Sequence, residues 1–560
     1  MRAGTVGEAF DGDVADWRRP LLSPMGFLVA ACLFGASLTP SLIPREPVVQ
    51  GVLGGLVGIF GYGIAVAVRW LWRYLGLPML NGPGRRYWAI ACYLGALLIV
   101  IFCLSQAAAW QNATRAALQV EPVATAHPFE VAGVALIVFV AVWLVSWGIA
   151  AVLGRVNRLL ARAVPPRVGQ ILGLVLVGWL VWALVDGVLI QRALSAADGA
   201  FETADRLIDP EIPAPTEPGR TGGPGSLVAW DEMGRWGRSF VAKAPTRAEI
   251  AEFAGDTAMD PIRVYVGRLA GETPEARADL ALRELIRQGG FKRSALVVAV
   301  PVGTGWMDPG AHDTLDFMLG GDVATVSVQY SYLTSVLSLY VHPDYGVAQA
   351  RALFDKVYDY WAALPPDARP KLYVHGLSQG AFNSQETLPL LDMLADPING
   401  AMWAGSPFFS RFWAQVRDGR VPGSPDWRPE FGNGSLARSM TQGGVTSSPG
   451  ATWGPIRLVF LNYGSDPIVV FNAASTWRRP DWLSGERAPD VSPALRWFPV
   501  VTMMQTAFDM AVSLKIPRVG HFYVAPDYID AWAALMDPPG WTPARAEELK
   551  ALFAARPAPF

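Results

Sequence analysis

The chain has 560 residues, of which 52% are apolar and only 17% are charged, and its mean hydropathy is positive at +0.27. This composition is unusual for a soluble globular protein. The 46 Lys and Arg residues nearly balance the 48 Asp and Glu residues, so the chain lacks the basic character of nucleic-acid-binding proteins, and we expect no nucleic-acid partner.

Five uncharged apolar runs precede residue 192, and each is long enough to cross the roughly 30 Å hydrocarbon core of a bilayer as a helix. They cover residues 23–44, 47–68, 87–110, 131–154 and 168–185. The runs follow one another too closely for the first to be a cleaved signal peptide. The sequence therefore predicts an α-helical polytopic membrane domain of about five transmembrane helices over residues 1–195. We interpret Asp186, beside Gly187 at the end of the fifth run, as an interfacial residue rather than part of a proton relay.

The arginines predict the orientation, because Lys and Arg in short loops near helix ends remain in the cytoplasm. Three arginines, Arg45, Arg115 and Arg192, fall on one side of the predicted spans. Eleven fall on the other: Arg2, Arg18, Arg19, Arg69, Arg73, Arg85, Arg86, Arg155, Arg158, Arg162 and Arg167. This asymmetry predicts a multi-pass protein of the cell membrane with a cytoplasmic N-terminus. After five spans, the remainder of the chain would be extracytoplasmic.

The three cysteines, Cys32, Cys92 and Cys103, lie in apolar runs and have no CxxC spacing. We expect them to be buried packing residues, with no disulfide and no structural zinc. Residues 196–226 are rich in Ala, Asp, Pro and Gly, which is typical of a linker. Residues 227–560 then form a second domain.

In this second domain, short apolar runs alternate with helical patterns, which predicts an α/β fold with a mostly parallel sheet. Strands are predicted at 262–266, 295–300, 324–329, 371–375, 400–404 and 457–461. Helices are predicted at 274–288, 347–364, 381–394 and 494–514.

A G-x-S-x-G motif, Gly376 to Gly380, follows the predicted strand 371–375 and leads into a helical pattern. Glycines at its ends permit a sharp turn that holds Ser378 in a strained conformation at the edge of the sheet, as in a nucleophile elbow. The backbone N–H of Gln379, at the start of the helix, is then placed to bind a developing oxyanion. We therefore predict Ser378 as a catalytic nucleophile.

A serine nucleophile needs a base and an acid that orients the base. The chain has only five histidines, and since the order in this fold is Ser, acid, His, the prediction is His521, which follows Ser378. His375 is closer in sequence and is interpreted as structural. Asp466 directly follows the predicted strand 457–461 and is the predicted acid. The alternatives Asp481, Glu486 and Asp490 remain open.

The second oxyanion donor is expected in the loop after an early central strand. The strand 295–300 is followed by a glycine-containing loop in which the backbone N–H of Thr304 is the predicted donor. The glycines of this loop, Gly303 and Gly305, can equally serve only to shape a turn. They do not form a G-x-G-x-x-G motif, and we expect no cofactor and no metal.

Two long stretches separate the predicted catalytic elements. Residues 406–455 are rich in Gly, Ser, Arg and Trp, and residues 477–498 contain three tryptophans. Such stretches can form a lid over the site or pack on the core, and both interpretations remain open.

The motifs together resemble a known family. They are Gly-Thr-Gly-Trp at 303–306, His-Gly-Leu-Ser-Gln-Gly at 375–380, Tyr-Gly-Ser-Asp-Pro at 463–467 and Gly-His-Phe at 520–522. With the N-terminal spans, they make the whole chain similar to the bacterial family that joins a polytopic membrane domain to a C-terminal α/β-hydrolase domain, mostly of undetermined function. The resemblance implies serine esterase chemistry, and some relatives are associated with removing aminoacyl groups from phospholipids.

The expected substrate is a lipid ester of the cell envelope or another ester held in the membrane, since tethering the enzyme to the bilayer raises the effective concentration of such an ester near the site. Aminoacylated phospholipid is the leading specific expectation, by resemblance only. Two alternatives remain: an acyltransferase that uses the same triad, and a non-catalytic membrane scaffold or channel.

Overall fold

A computed structural model describes residues 23–556 except 81, 163, 185–190, 336, 339–342, 390–391, 446–450, 515 and 517. The predicted interfacial Asp186 lies outside the described residues. The chain divides into two compact units that are not continuous in sequence. Unit 1 contains the chain up to Trp179 together with Ala473–Leu483 and Val491–Val512. Unit 2 contains Leu180–Asn472, Ser484–Asp490 and Ser513–Phe560.

The first half of the chain contributes helices α1 (Pro24–Ser37), α2 (Pro47–Tyr74), α3 (Gly82–Ala117), α4 (Pro128–Leu160), α5 (Pro166–Leu184), α6 (Gln191–Arg206), α7 (Gly234–Ala242), α8 (Arg247–Ala254) and α9 (Pro274–Arg287). The second half contributes helices α10 (Pro309–Met318), α11 (Pro343–Ala363), α12 (Gln379–Thr387), α13 (Arg411–Asp418), α14 (Pro467–Val470), α15 (Val501–Val512), α16 (Ala525–Met536) and α17 (Pro543–Ala555). The strands are β1 (Ile262–Val266), β2 (Ala295–Val300), β3 (Val323–Val328), β4 (Lys371–Leu377), β5 (Gly400–Ala404), β6 (Ala437–Thr441), β7 (Gly444–Val445) and β8 (Arg457–Leu461).

Three helices in the described part of the chain, α2, α3 and α4, are long and apolar enough to cross a membrane, where five spans were predicted. Helix α1 has only 14 residues, a length of about 21 Å at 1.5 Å per residue. It ends at Ser37, shortly before Pro40 and Pro44, neither of which favours helix continuation. In α5 the described apolar stretch, Ile171–Ala183, is also shorter than a span. The sequence identified the apolar runs but not their helical lengths.

Glycines on α2 allow neighbouring helices to approach closely. A Cβ added at Gly55 would lie 2.6 Å from the backbone oxygen of Ala135 on α4, and one added at Gly54 would lie 2.8 Å from the ring of Phe34 on α1. The small residues at these positions therefore let α2 pack closely against its neighbours. Cys92 and Cys103 are buried as predicted, whereas Cys32 is exposed on α1.

Unit 1 also takes in α15, a helix from the C-terminal half of the chain. Val501 on α15 packs in one buried cluster with Leu53 and Val57 of α2. The tryptophan-containing stretch 477–498, for which a lid and a packed loop both remained open, lies largely within unit 1, with Trp482 buried and Trp477 exposed.

Unit 2 is built on one eight-stranded sheet of order β1-β3-β2-β4-β5-β8-β6-β7. Every neighbouring pair is parallel except β6 with β7. Four predicted strands match β1, β2, β5 and β8 at both ends, and the other two match β3 and β4 within two residues. The sequence missed β6 and β7, which lie in the stretch 406–455 that was considered as a lid. This stretch extends the sheet, because β6 pairs with β8.

The stretch predicted as a linker, 196–226, is folded into unit 2. It contains most of α6, and its second half is fixed by the hydroxyl of Thr221, which donates to the backbone oxygen of Arg263 on β1 at 2.9 Å. The stretch is therefore part of a folded unit.

The parallel strands end at one edge of the sheet, so the loops that follow β2, β4, β5 and β8 meet there. These loops begin at Pro301, Ser378, Gly405 and Asn462. Thr304, Ser378, Gln379 and Asp466 lie in or shortly after these loops, whereas His521 follows α15.

Candidate active site

Ser378 occupies the sharp turn between β4 and α12. Its backbone has φ 56° and ψ −122°, a strained conformation for a residue with a Cβ atom. The turn is fixed by the N–H of Ser378, which donates to the backbone oxygen of Ala404 at 2.9 Å, and by the N–H of Phe382, which donates to the oxygen of Ser378 at 3.1 Å. The strand-turn-helix geometry is that of a nucleophile elbow.

Both glycines of the G-x-S-x-G motif are required by close backbone contacts. A Cβ added at Gly376 would lie 2.4 Å from the carbonyl carbon of Gly380, across the turn. A Cβ added at Gly380 would lie 2.1 Å from the backbone oxygen of Val300, at the end of β2. The elbow therefore touches the beginning of the loop that carries Thr304.

The structure brings the predicted acid and base together. The Nδ1 atom of His521 lies 2.6 Å from Oδ2 of Asp466, and both side chains are buried. Because an ionised carboxylate only accepts hydrogen bonds, Nδ1 carries the proton and the lone pair of a neutral ring is on Nε2. This Nε2 atom is buried and has no hydrogen-bond partner in the described part of the chain. It is the tautomer that a general base requires.

The ring of His521 lies beside the elbow. A Cβ added at Gly405 would lie 2.6 Å from Cε1 of His521, so only glycine leaves room for the ring there. The residue before Gly405, Ala404, accepts the hydrogen bond from the backbone of Ser378. Ser378 and His521 thus both contact the two-residue segment Ala404–Gly405 at the end of β5.

Asp466 is held by two further donors. Tyr523 donates its hydroxyl to Oδ2 of Asp466 at 2.8 Å, and the N–H of Ile468 donates to Oδ1 at 2.9 Å. Burial, and next the charge of Asp466, raise the pKa of Tyr523 well above its usual range, so the hydroxyl stays a donor. The sequence analysis missed Tyr523, although it lies two residues after His521.

The alternative acid Asp490 has a different position. Its Oδ2 accepts the backbone N–H of Ser465 at 2.8 Å, so it supports the loop that carries Asp466. Asp481, in unit 1, lies 3.9 Å from Arg478 at the surface, and Glu486 accepts the indole N–H of Trp427 with its backbone oxygen. The carboxylate bonded to His521 is that of Asp466.

The two predicted oxyanion donors lie on the two segments that meet at Gly380. Gln379 is the first residue of α12, where backbone N–H groups have no partner within the helix. Thr304 is partly buried in a tight turn in which the N–H of Gly305 donates to Val302 at 2.8 Å. Neither the N–H of Gln379 nor that of Thr304 is hydrogen-bonded within the described residues.

Hydrogen bonds from neighbouring side chains fix the backbone of the Thr304 loop. The carboxamide of Gln329 donates to the backbone oxygen of Thr304 at 3.1 Å, and the hydroxyl of Tyr265 donates to that of Gly305 at 2.7 Å. The N–H of Gly303 donates to the hydroxyl of Ser335 at 3.3 Å. With the carbonyls held in this way, the turn is fixed before any substrate binds, as electrostatic stabilisation requires.

The other histidines have other environments. His375 is buried in β4, its Nδ1 atom lies 2.9 Å from the oxygen of Met402, and burial lowers its pKa to about 4. His312 is buried beside it on α10, with its pKa lowered well below the usual range by burial. His127 precedes α4, and His342 lies outside the described residues. The described residues contain no group of three or more His, Cys, Asp or Glu that could hold a metal ion.

Comparison with known proteins assigns the chain to a family. Residues 262–549 match the model of an alpha/beta-hydrolase family, and residues 38–245 match the model of the N-terminal region of an alpha/beta-hydrolase family. No curated protein and no solved structure shows significant similarity to the chain. The first match covers the whole parallel sheet and the loops that carry Ser378, Asp466 and His521. The chain therefore belongs to this alpha/beta-hydrolase family, with an N-terminal region that carries candidate membrane-spanning helices.

Proposed function

We propose that the protein is a membrane-anchored serine hydrolase that cleaves an ester of a cell-envelope lipid through an acyl-enzyme. One observation carries this proposal: the strained Ser378 elbow and the ring of His521 both contact the Ala404–Gly405 segment at the end of β5. The Nδ1 atom of this histidine is hydrogen-bonded to the buried Asp466. Strain at a polar residue on a sheet edge is typical of functional sites.

In the proposed reaction, Oγ of Ser378 attacks the ester carbonyl while Nε2 of His521 takes the hydroxyl proton. The N–H groups of Gln379 and Thr304 stabilise the negative charge on the carbonyl oxygen. His521 then gives the proton to the leaving alcohol, and the acyl group stays on Ser378. Water, deprotonated by His521, releases the acid and restores the serine. Asp466 keeps the histidine in the required tautomer throughout.

The candidate membrane-spanning helices support a substrate that is itself held in the bilayer. Three helices of spanning length hold the protein at the membrane, where an ester that is itself held in the bilayer meets the site at a high effective concentration. Aminoacylated phospholipid is the leading specific substrate, followed by acylglycerols and other acyl lipids. The arginine asymmetry supports a cytoplasmic N-terminus and an extracytoplasmic catalytic domain.

The substrate is tested by comparing extracted lipids from cells that carry the native protein or Ser378→Ala at equal levels. Accumulation of one lipid ester in the variant is expected, and identical lipid profiles would contradict a lipid substrate and favour a non-catalytic scaffold. Purified enzyme with and without an acceptor alcohol separates hydrolysis from acyl transfer, because an acyltransferase forms the new ester. For orientation, a reporter fused after residue 210 and active only in the cytoplasm would overturn the extracytoplasmic assignment.

A further inference from the structure

A buried carboxylate outside the proposed triad lies one side chain away from the loop that carries Thr304. Asp205 is the penultimate residue of α6, the next described helix after α5, and it is only 4% exposed. Its Oδ2 atom accepts the side-chain N–H of Gln329 at 3.3 Å, and its Oδ1 atom accepts the backbone N–H of Arg235 at 3.2 Å. Both oxygens of the carboxylate therefore have a donor.

Gln329 connects Asp205 to the loop. It directly follows β3, and its Nε2 atom donates both to Oδ2 of Asp205 and, at 3.1 Å, to the backbone oxygen of Thr304. Its Oε1 atom accepts the backbone N–H of Arg268 at 3.2 Å. These partners fix the orientation of the carboxamide, because a flipped amide would place its oxygen against two other oxygens.

The loop is shaped to contact this carboxamide. Gly305 has φ 90°, in the left-handed region, and a Cβ added there would lie 2.9 Å from both Cγ and Nε2 of Gln329. Glycine therefore permits the backbone turn and also leaves room for Gln329. Because the contact is this close, a displacement of the carboxamide would displace the peptide between Thr304 and Gly305.

Helix α7 holds Asp205 in place. Arg235 is in the first turn of α7, so its N–H offers the carboxylate a hydrogen bond at the positive end of the helix dipole. Arg238, on the same helix, is 3% exposed and donates to the backbone oxygens of Asp205 and Leu207. Burial raises the pKa of Asp205, and its hydrogen bonds to Gln329 and Arg235 act in the opposite direction. The carboxylate is thus fixed by α7 and presents its second oxygen to Gln329.

Anchoring α7 does not account for both contacts of the carboxylate. The N–H of Arg235 needs one acceptor, and an asparagine at position 205 would supply it with its single side-chain oxygen. The NH₂ group of that asparagine would then oppose the NH₂ group of Gln329. A carboxylate is needed when the donors of Arg235 and Gln329 must both be accepted.

We propose that Asp205 is a positioning residue for the oxyanion loop: it orients Gln329, and Gln329 holds the backbone of Thr304 with its N–H directed at the substrate oxygen. This role rests on the proposed hydrolase function, and it brings in the N-terminal region, to which Asp205 belongs, whereas Gln329 and Thr304 belong to the hydrolase region. The N-terminal region then does more than hold the protein at the membrane. It helps to keep the loop preorganised, as stabilisation of an oxyanion requires.

The first test is Asp205→Asn in the full-length protein in detergent, with nitrophenyl butyrate as the activated ester. A misplaced donor should lower kcat about 10- to 100-fold, less than the roughly 10²- to 10³-fold lost when an oxyanion donor is deleted. KM should change little, because the contact forms in the transition state. Glu202→Gln, which removes a partly exposed carboxylate one turn earlier on α6, is the matched control and should behave as wild type.

A double-mutant cycle separates positioning from the anchoring of α7. Gln329→Met removes the amide, keeps a side chain of similar size and should lower kcat by a similar factor. Since Asp205 acts through Gln329, Asp205→Asn should add little to the loss in Gln329→Met. Fully additive losses, or a lower unfolding midpoint with unchanged kcat, would overturn the inference. Should Asp205→Asn fail to fold, an unchanged kcat in Gln329→Met would overturn it, because Gln329 is the side chain that joins Asp205 to the loop.

An inhibitor that forms the oxyanion distinguishes a misplaced loop from a general loss of activity. Pentyl trifluoromethyl ketone adds to Ser378: Oγ bonds to the carbonyl carbon, the hydroxyl proton moves to Nε2 of His521, and the carbonyl oxygen takes the negative charge. In Asp205→Asn its inhibition constant should rise by the factor by which kcat/KM falls. The matching alcohol, which forms no adduct, should bind equally to both proteins. An unchanged inhibition constant for the ketone would contradict a role of Asp205 at the oxyanion loop.

Hydrogen exchange tests the link without catalysis. The N–H of Gly305 donates to Val302 inside the loop, so its exchange reports whether the loop stays closed. It should exchange faster in Asp205→Asn than in wild type and Glu202→Gln. Equal exchange rates would overturn the inference and leave the hydrolase proposal intact. A wild type that cleaves no ester and forms no ketone adduct would instead contradict the proposed function, and the exchange rates would still show whether Asp205 holds the loop.

Discussion

The two units each contain a fully buried aspartate that accepts several hydrogen bonds, and the partners differ. Asp466 in unit 2 bonds to groups without a permanent charge: the ring of His521, the hydroxyl of Tyr523 and one backbone N–H. Asp509 in unit 1 bonds to Nε of Arg45 at 2.8 Å, with the hydroxyl of Ser41 and the N–H of Leu42 as further donors.

The difference shows which buried carboxylate can take part in chemistry. An arginine keeps its proton at any physiological pH, so the pair of Arg45 and Asp509 can only hold structure. A histidine ring can accept a proton on one nitrogen while the other donates, and Nε2 of His521 has no hydrogen-bond partner in the described part of the chain. Equal burial thus gives a structural site in one unit and a candidate catalytic site in the other.

The largest expected effect is the loss of activity on substitution of Asp466, which distinguishes a catalytic from a structural role of this carboxylate. An Asp466→Asn variant places an amide N–H against Nδ1 of His521 and favours the wrong tautomer, so kcat for an activated ester should fall about 10³- to 10⁴-fold. The thermal unfolding midpoint should change little. Asp490→Asn, which alters the supporting carboxylate on the same loop, is the matched control and should cost far less activity. Equal losses in both variants would contradict the assignment of Asp466.

At Asp509 the expected loss is in stability. Asp509→Asn leaves the buried charge of Arg45 unpaired, and breaking such a pair costs about 3–5 kcal/mol of unfolding free energy. Unfolding followed by tryptophan fluorescence in detergent, and the yield from membranes, measure the loss. The charge-free double variant Arg45→Met with Asp509→Leu should recover part of it. A double variant less stable than the single one would show that the ion pair has a further role.

The glycines of α2 provide a smaller test of packing in unit 1. In Gly55→Ala the new methyl group meets the backbone of α4, which cannot move aside as a side chain can, and overpacking of this kind costs about 1–3 kcal/mol. Gly63, on the same helix, has open space where its Cβ would lie. Gly63→Ala should therefore be neutral or slightly stabilising. Similar unfolding midpoints for the two variants would contradict the close contact between α2 and α4.

The smallest expected effect concerns Asp308, a buried carboxylate that accepts the hydroxyl of Tyr528 at 2.9 Å. Burial raises its folded-state pKa from 3.8 to about 7, so the folded state retains a proton that the unfolded state releases. Its contribution to stability is therefore lost as the pH rises from about 4 to above 7. Asp308→Asn should raise the unfolding midpoint by a few degrees at pH 8 and by less at pH 5. A gain independent of pH would mean that Asp308 does not titrate in this range.

Much of unit 2 is predictable from the sequence because its strands are buried on both faces and appear as short apolar runs. The strand β6 has the sequence Ala-Arg-Ser-Met-Thr, which lacks such a run, and only its pairing with β8 makes it a strand. In unit 1, apolar runs do not distinguish buried from exposed surfaces, and the predicted helix lengths were wrong where Pro40 and Pro44 intervene.

The candidate site is predictable where chemistry follows local motifs. Ser378 and Asp466 each stand in a short pattern at a strand end, and His521 is identified by its place after them in the chain. The hydrogen bond from Gln329 to the Thr304 loop and the inclusion of α15 in unit 1 depend on which strands and helices become neighbours. Residue spacing along the chain does not contain that information.

The central claim, that Ser378 is a nucleophile activated by His521, is tested most directly by labelling with a serine-directed fluorophosphonate. Full-length protein in detergent is treated with the probe and digested, and the modified peptide is identified by mass spectrometry. The account predicts one modified residue, Ser378, with labelling abolished in Ser378→Ala and strongly slowed in His521→Ala. Labelling that persists in folded Ser378→Ala, or that proceeds at the same rate without His521, would contradict it.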